Sequence, residues 1–139
     1  MARTRIGCYL VSVNDGMLLI THISPGSPAA GRWTLPGGGI HWGEDPGEAL
    51  EREVFEETGF TLDGYRYLGA DARSFPERDG IEALHWIRLF YGADLAGEPR
   101  ITEVDGSVDD VRWVPIVDLP AMPTVDAIDA GLTFAGLAP

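Results

Sequence analysis

The chain has 139 residues and a formal net charge of −12. That acidic balance excludes a long phosphate backbone as partner, since nucleic-acid binding draws most of its affinity from Lys and Arg, yet it suits a small polyphosphate that brings its own cation. The single cysteine, Cys8, excludes an intrachain disulfide or a cysteine zinc cluster and points to a reducing cytoplasm, and no apolar run approaches the roughly 18 to 20 residues of a membrane span.

A hydrophobic share of 45% predicts one globular domain over residues 1–139. Ile6 to Val13 is short, β-branched and aromatic and reads as a strand; Asn14-Asp15-Gly16 is a hairpin turn, and Met17 to Ile23 returns antiparallel to the first strand. Ser24 to Gly31 is a Pro, Gly and Ser-rich loop. Arg32 and Trp33 follow, at the mouth of a glycine turn formed by Pro36, Gly37, Gly38 and Gly39, whose backbone can approach a ligand closely. Arg32 is a phosphate-binding candidate, because a guanidinium offers paired hydrogen bonds; Trp33 is read first as packing and second as a stacking surface for a base.

A short acidic helix comes next. Asp45 is its N-cap, Pro46 its first residue and Glu48 the third helical position, an Asp-x-x-Glu capping box, and Thr58-Gly59 ends it. Glu53, Glu56 and Glu57 stand at i, i+3 and i+4 and share one face, where three carboxylates repel one another and call for a cation. Oxygen-only ligands suit Mg²⁺, with Mn²⁺ as substitute. Glu44 reaches the same region from the loop, and Arg52 is placed to pair with Glu48 or Glu56.

Beyond the helix, Thr61 to Ala72 reads as a strand, Ser74 to Gly80 as a loop and Ile81 to Leu95 as a long strand with a bulge at Gly92; His85 and Arg88 fall on its opposite faces. The loop Gly97 to Asp110 carries Glu103 and Asp105, candidates for a further ligand or a general base. Val111 to Val114 is a strand closed by Pro115, Asp118-Leu119-Pro120 a turn, and Thr124 the N-cap of a final helix over Val125 to Phe134, with Val125, Ile128, Ala130 and Leu132 on its apolar side. This order suggests an α/β fold, a mixed sheet sandwiched between helices.

Gly38, Glu44, Arg52, Glu53, Val54, Glu56, Glu57, Gly59 and Phe60 meet the pattern G-x5-E-x7-R-E-U-x-E-E-x-G-U, with U a bulky apolar residue, at every position. The pattern resembles the Nudix box, the signature of hydrolases that cleave a nucleoside diphosphate linked to another group. The resemblance implies the α/β/α Nudix fold. It also implies Mg²⁺ held by Glu53, Glu56 and Glu57 with Gly38 and Glu103 nearby, bridging diphosphate oxygens and activating water, and a base among the helix acids or, alternatively, Glu103 or Asp105.

Compactness makes the chain look like MutT-like nucleoside triphosphate pyrophosphatases, which release a nucleoside monophosphate. Pro76, sixteen residues past Phe60, instead has a spacing associated with ADP-ribose pyrophosphatases. The longer extra motif of NADH pyrophosphatases is absent. A nucleotide-sensing Nudix module that does not cut is the third alternative, although such modules usually have eroded acids. Pairing into a homodimer is expected by analogy with other small domains of this kind.

Overall fold

The structure, a computed structural model, describes residues 2–137. Strands β1 (Ala2–Val11), β2 (Val13–Asn14), β3 (Met17–Ile23), β4 (Trp33–Thr34) and β5 (Gly37–Gly39) precede helix α1 (Pro46–Thr58). Strands β6 (Arg66–Phe75), β7 (Ala83–Gly92) and β8 (Val108–Pro115), a 3-10 turn over Ile116–Ala121 and helix α2 (Asp126–Phe134) complete it.

Two four-stranded sheets form, one in the order β5-β1-β7-β6 and one in which β3 pairs with β2, β4 and β8. The first is mixed, because β1 and β7 run parallel while β5 and β6 are antiparallel to their neighbours. Side chains alternate across β1 as the pleat requires. Cys8 and Leu10 meet Ala49, Leu50 and Val54 of α1, whereas Tyr9 and Val11 join Ile128 and Leu132 of α2 in the other core cluster. The predicted mixed sheet between helices is therefore the architecture found.

Several local expectations are corrected. Ile6 to Val13 is not one strand returning on Met17 to Ile23: the chain changes sheets at Ser12, so β1 pairs with β7 and β5, and only Val13 and Asn14 form the hairpin with β3. The turn itself is as read, with Asp15 and Gly16 at φ 53° and 73°, the conformation that matches strand twist in a two-residue hairpin. The strand expected from Thr61 begins only at Arg66 and runs to Phe75, into the expected loop. Its bulge lies between Tyr67 and Gly69 and not at Gly92, because the extra residue falls on β6 opposite Tyr91 and Phe90. Thr124 does not cap α2: it bridges to Trp33, and Val125 holds the cap position. Ala127, Ile128, Gly131 and Leu132 form the buried side of that helix, replacing Val125 and Ala130 of the sequence reading.

Candidate functional site

Helix α1 begins and ends as its sequence dictates. Asp45 is extended at φ −71° and ψ 151°, its N–H donates to Glu48 Oε1 at 3.0 Å, and Gly59 turns left-handed at φ 76°. Thus Glu48 is occupied by the cap, and Arg52 pairs elsewhere. Its Nε and Nη2 fork onto the two carboxylate oxygens of Glu44 at 2.8 and 3.0 Å, Nη1 donates to Glu53 Oε1 at 2.9 Å and lies 3.5 Å from Glu56 Oε2, and Nη2 also donates to the Gly39 carbonyl at 3.1 Å. One guanidinium thus ties helix, glycine strand and preceding loop together. Bonding to Arg52 holds the Glu44 carboxyl at about 2, well below its ordinary value.

The glycines let the chain approach itself. Gly37 N–H donates to Glu57 Oε1 at 3.0 Å, and a Cβ on Gly37 would lie 2.0 Å from the Cys8 carbonyl oxygen. On the other side of the ribbon, a Cβ on Gly38 would lie 2.7 Å from Glu53 Oε1, while Gly39 faces Arg5. The glycine turn is therefore the edge strand β5, packed on β1 and against the acids of α1.

Glu53 and Glu57 are buried and Glu56 half-buried. Burial first, then a hydrogen bond that the protonated carboxyl gives to Glu103 and the charge of Glu53, raises the Glu56 carboxyl to about 7. Burial likewise pushes Glu57 well up, against the opposing hydrogen bond from Gly37. Glu103 arrives there because its N–H and that of Thr102 donate to the Glu56 carbonyl at 3.1 and 2.9 Å, satisfying a carbonyl that the helix end leaves open.

Among the described residues no three His, Cys, Asp or Glu side chains converge as a ready-made metal cage. Arg52 bridges Glu53 and Glu56, its Nη1 2.9 Å from the first and 3.5 Å from the second. The donor set nonetheless fits a hard divalent cation: every donor is oxygen, and Glu53, Glu56 and Glu57 have one guanidinium, that of Arg52, in ion-pair contact among the described residues.

The remaining sequence candidates fall into two groups. Asp105 shares with Glu103 a cleft of about 510 Å³ whose walls include Ser24, Pro25 and Asp109. Trp33, in contrast, is 8% exposed, edge-on to His22 and beneath the Arg112 guanidinium, so packing and not ligand stacking is its place. Arg32 is exposed just before β4, and among the described residues no hydrogen bond or ion pair joins its guanidinium to the acids. Arg88 is fully buried and bonded to Asp71 and Asp126, away from any substrate, while His85 is exposed. Cys8 donates to the Pro46 carbonyl and burial raises its thiol to about 11, as befits a core thiol.

Sequence reasoning missed Ser107, whose hydroxyl lies 3.4 Å from Glu57 Oε2, and Thr102, whose hydroxyl donates to the Phe55 carbonyl at 3.0 Å. Neither has a spacing signal, since each meets the helix only through long-range folding.

Fold and site define an α/β/α domain in which a glycine edge strand and one Arg-ordered acidic helix form a carboxylate cluster. A family model described as the NUDIX domain matches residues 1–134, and the chain belongs to that family. The MutT NUDIX hydrolase of Burkholderia pseudomallei, a solved structure, is 32% identical with a TM-score of 0.77, covering 94% of this chain and 97% of that one. The NUDIX domain of Shewanella oneidensis NrtR, solved with ADP ribose, has a TM-score of 0.75 at 22% identity over 98% of this chain and 87% of that one, a likeness of fold. Among curated relatives, the NAD-capped RNA hydrolase NudC of Haemophilus influenzae is 32% identical over 123 residues, 84% of this chain. The chain spans 43% of that relative's length. Family membership supports a hydrolase of pyrophosphate linkages. Among the described residues no helix is long and apolar enough to cross a membrane.

Proposed function

We propose that the chain hydrolyses the phosphoanhydride of a nucleoside diphosphate joined to a second group, with a nucleoside triphosphate as the leading substrate and nucleoside monophosphate and pyrophosphate as products. The observation that carries the reading is the gathering of Glu53, Glu56 and Glu57 on α1 against the glycine strand β5, with the one neighbouring guanidinium, that of Arg52, already shared with Glu44. Glu53, Glu56 and Glu57 would hold Mg²⁺ or Mn²⁺, with Gly38 and Glu103 beside them. When bound, the cation supplies Lewis-acid neutralisation of phosphate charge and lowers the pKa of water.

The chain's own residues have separable tasks in this reading. Arg52 holds Glu44 and Glu53 in fixed rotamers, which keeps the acids from collapsing onto solvent. Gly37 donates to Glu57 and so orients one of its oxygens, leaving the other toward Ser107. Glu56, the part-exposed member of the three helix acids, is the one we assign to take a proton from water, with Glu103 or Asp105 as the loop alternative. The cleft walled by Glu103, Asp105 and Asp109 is where we place the rest of the nucleotide, because Glu103 belongs both to its wall and to the segment bonded to the Glu56 carbonyl.

A second substrate class is favoured by a specific observation. NudC relatives named for NAD-capped RNA match over most of this chain, and the NrtR domain was solved with ADP ribose. A dinucleotide or ADP-ribose diphosphate is therefore the runner-up. A panel of nucleoside triphosphates, ADP-ribose and NAD, assayed with Mg²⁺ and with EDTA, separates them: product formation requires the metal, and pyrophosphate appears only with triphosphates. Binding of a panel member without cleavage in Mg²⁺ or Mn²⁺ would establish the sensing alternative instead. Cytoplasmic residence and pairing of two copies complete the proposal.

A further inference from the structure

The segment that brings Glu103 and Ser107 to the acidic helix is pinned at both ends. At the first end, Arg100 N–H donates to the Thr58 carbonyl at 2.8 Å and Thr102 and Glu103 N–H to the Glu56 carbonyl. At the second, Ser24 N–H donates to the Ser107 carbonyl at 2.9 Å, and His22 Nδ1 meets Asp109 Oδ1 at 2.6 Å.

Asp109 reaches His22 through a break in strand register. His22 pairs with Asp110 while Ile23 pairs with Val108, so Asp109 is the extra residue of a β-bulge. A bulge re-aims the side chain it carries and bends its strand. The His22 ring is itself seated edge-on against the buried Trp33, centroids 4.8 Å apart, so the imidazole has a firm base from which to hold the bulge.

We infer that His22 and Asp109 are a positioning pair for the hydrolytic site: together they set the place of the 103–109 segment, and through it the contacts of Glu103 with Glu56 and of Ser107 with Glu57. The inference rests on the proposed reaction for its catalytic consequence and goes beyond it by giving a task to two residues outside the glycine turn and acidic helix. His22 and Asp109 side chains are 27% and 45% exposed. An ion pair so exposed adds only about 0 to 1 kcal/mol to global stability. Its effect therefore falls on local geometry.

The test uses the full chain carrying His22→Ala, Asp109→Ala, both together, or His22→Asn, whose amide nitrogen takes the place of Nδ1 and still donates to Asp109. Amide hydrogen exchange should quicken by about threefold or more over 103–109 in each alanine variant while residues 49–57 stay unchanged, as local opening without global unfolding requires. With the best substrate of the panel and Mg²⁺, kcat should fall about tenfold with KM within about twofold, the double variant no worse than either single one, because the two residues act as a unit. His22→Asn should recover kcat to within about threefold of the parent protein. Unchanged exchange over 103–109, additive losses in the double variant, or exchange that quickens equally in 49–57 would overturn the positioning role. Should the parent protein cleave no panel member, the proposed reaction fails, and exchange over 103–109 still decides whether the pair holds the segment.

Discussion

At Gly37 a single methyl group is in question. Its φ of 148° and the 2.0 Å approach of a would-be Cβ to the Cys8 carbonyl leave no room for alanine without moving β5 off β1. Gly37→Ala should therefore destabilise the protein by about 1 to 3 kcal/mol, seen as a lower midpoint in urea. Gly38→Ala should act differently, pushing Glu53 aside at 2.7 Å while β5 stays in place, so hydrolysis falls more than melting temperature does. Arg52→Lys keeps the charge but loses the fork onto Glu44 and the bond to Gly39; a lower midpoint in chemical denaturation is expected. The importance of these glycines was legible in the sequence, but their reason was not. They were read as making room for a ligand, whereas Gly37 makes room for a strand carbonyl that only the folded sheet brings near.

At the scale of elements, α1 was readable to the residue because its caps are local: Asp45, Pro46, Glu48 and Gly59 act within a few positions of one another. The parallel register of β1 with β7 was not, since the partners Ala2 and Ala83 lie far apart in sequence and nothing local selects them. The same holds for the clamp on α2. Arg88 is wholly buried, forks onto Asp71 at 2.8 Å through both Nε and Nη2, reaches Asp126 in the first turn of α2 at 3.0 Å, and lies 5.4 Å from the Phe90 ring centroid. Sequence parity placed it opposite His85 but gave no sign of its acids. Arg88→Ala removes a wholly buried side chain and its fork onto Asp71, although Arg73 still pairs with Asp126 at 2.7 Å, and should lower the denaturant midpoint more than Asp126→Asn, which leaves the Asp71 fork intact. Candidate ligands divide along the same line: the helix acids were found by spacing, while Ser107 and Asp109 enter through a loop and a bulge.

Across the whole molecule the net charge is −12, and two of its acids, Glu56 and Glu57, are held against α1 and its neighbours in surroundings that favour the protonated form. Glu56 and Glu57 have folded-state values raised above the unfolded 4.5, Glu56 to about 7. The native state then binds more protons than the unfolded one, so this contribution to stability is fully present below pH 4.5 and is lost as pH rises through about 7. Glu44 works oppositely, its contribution vanishing as pH falls from 4.5 toward about 2, which leaves the range above pH 5 to the first pair. Metal-free protein should consequently melt at a lower temperature at pH 8 than at pH 5.5. Glu56→Gln should flatten that slope, and added Mg²⁺ should raise the melting temperature more at pH 8 than at pH 5.5, as scanning calorimetry would record.

The most direct measurement is the Mg²⁺-dependent kcat/KM of Glu56→Gln and Glu57→Gln on the best panel substrate, with folding verified by melting. Loss of a cation-holding carboxylate should lower it by about a hundredfold or more, near 3 kcal/mol of transition-state stabilisation. Retention of activity within about tenfold of the parent protein in both variants would contradict the assignment of hydrolysis to this cluster.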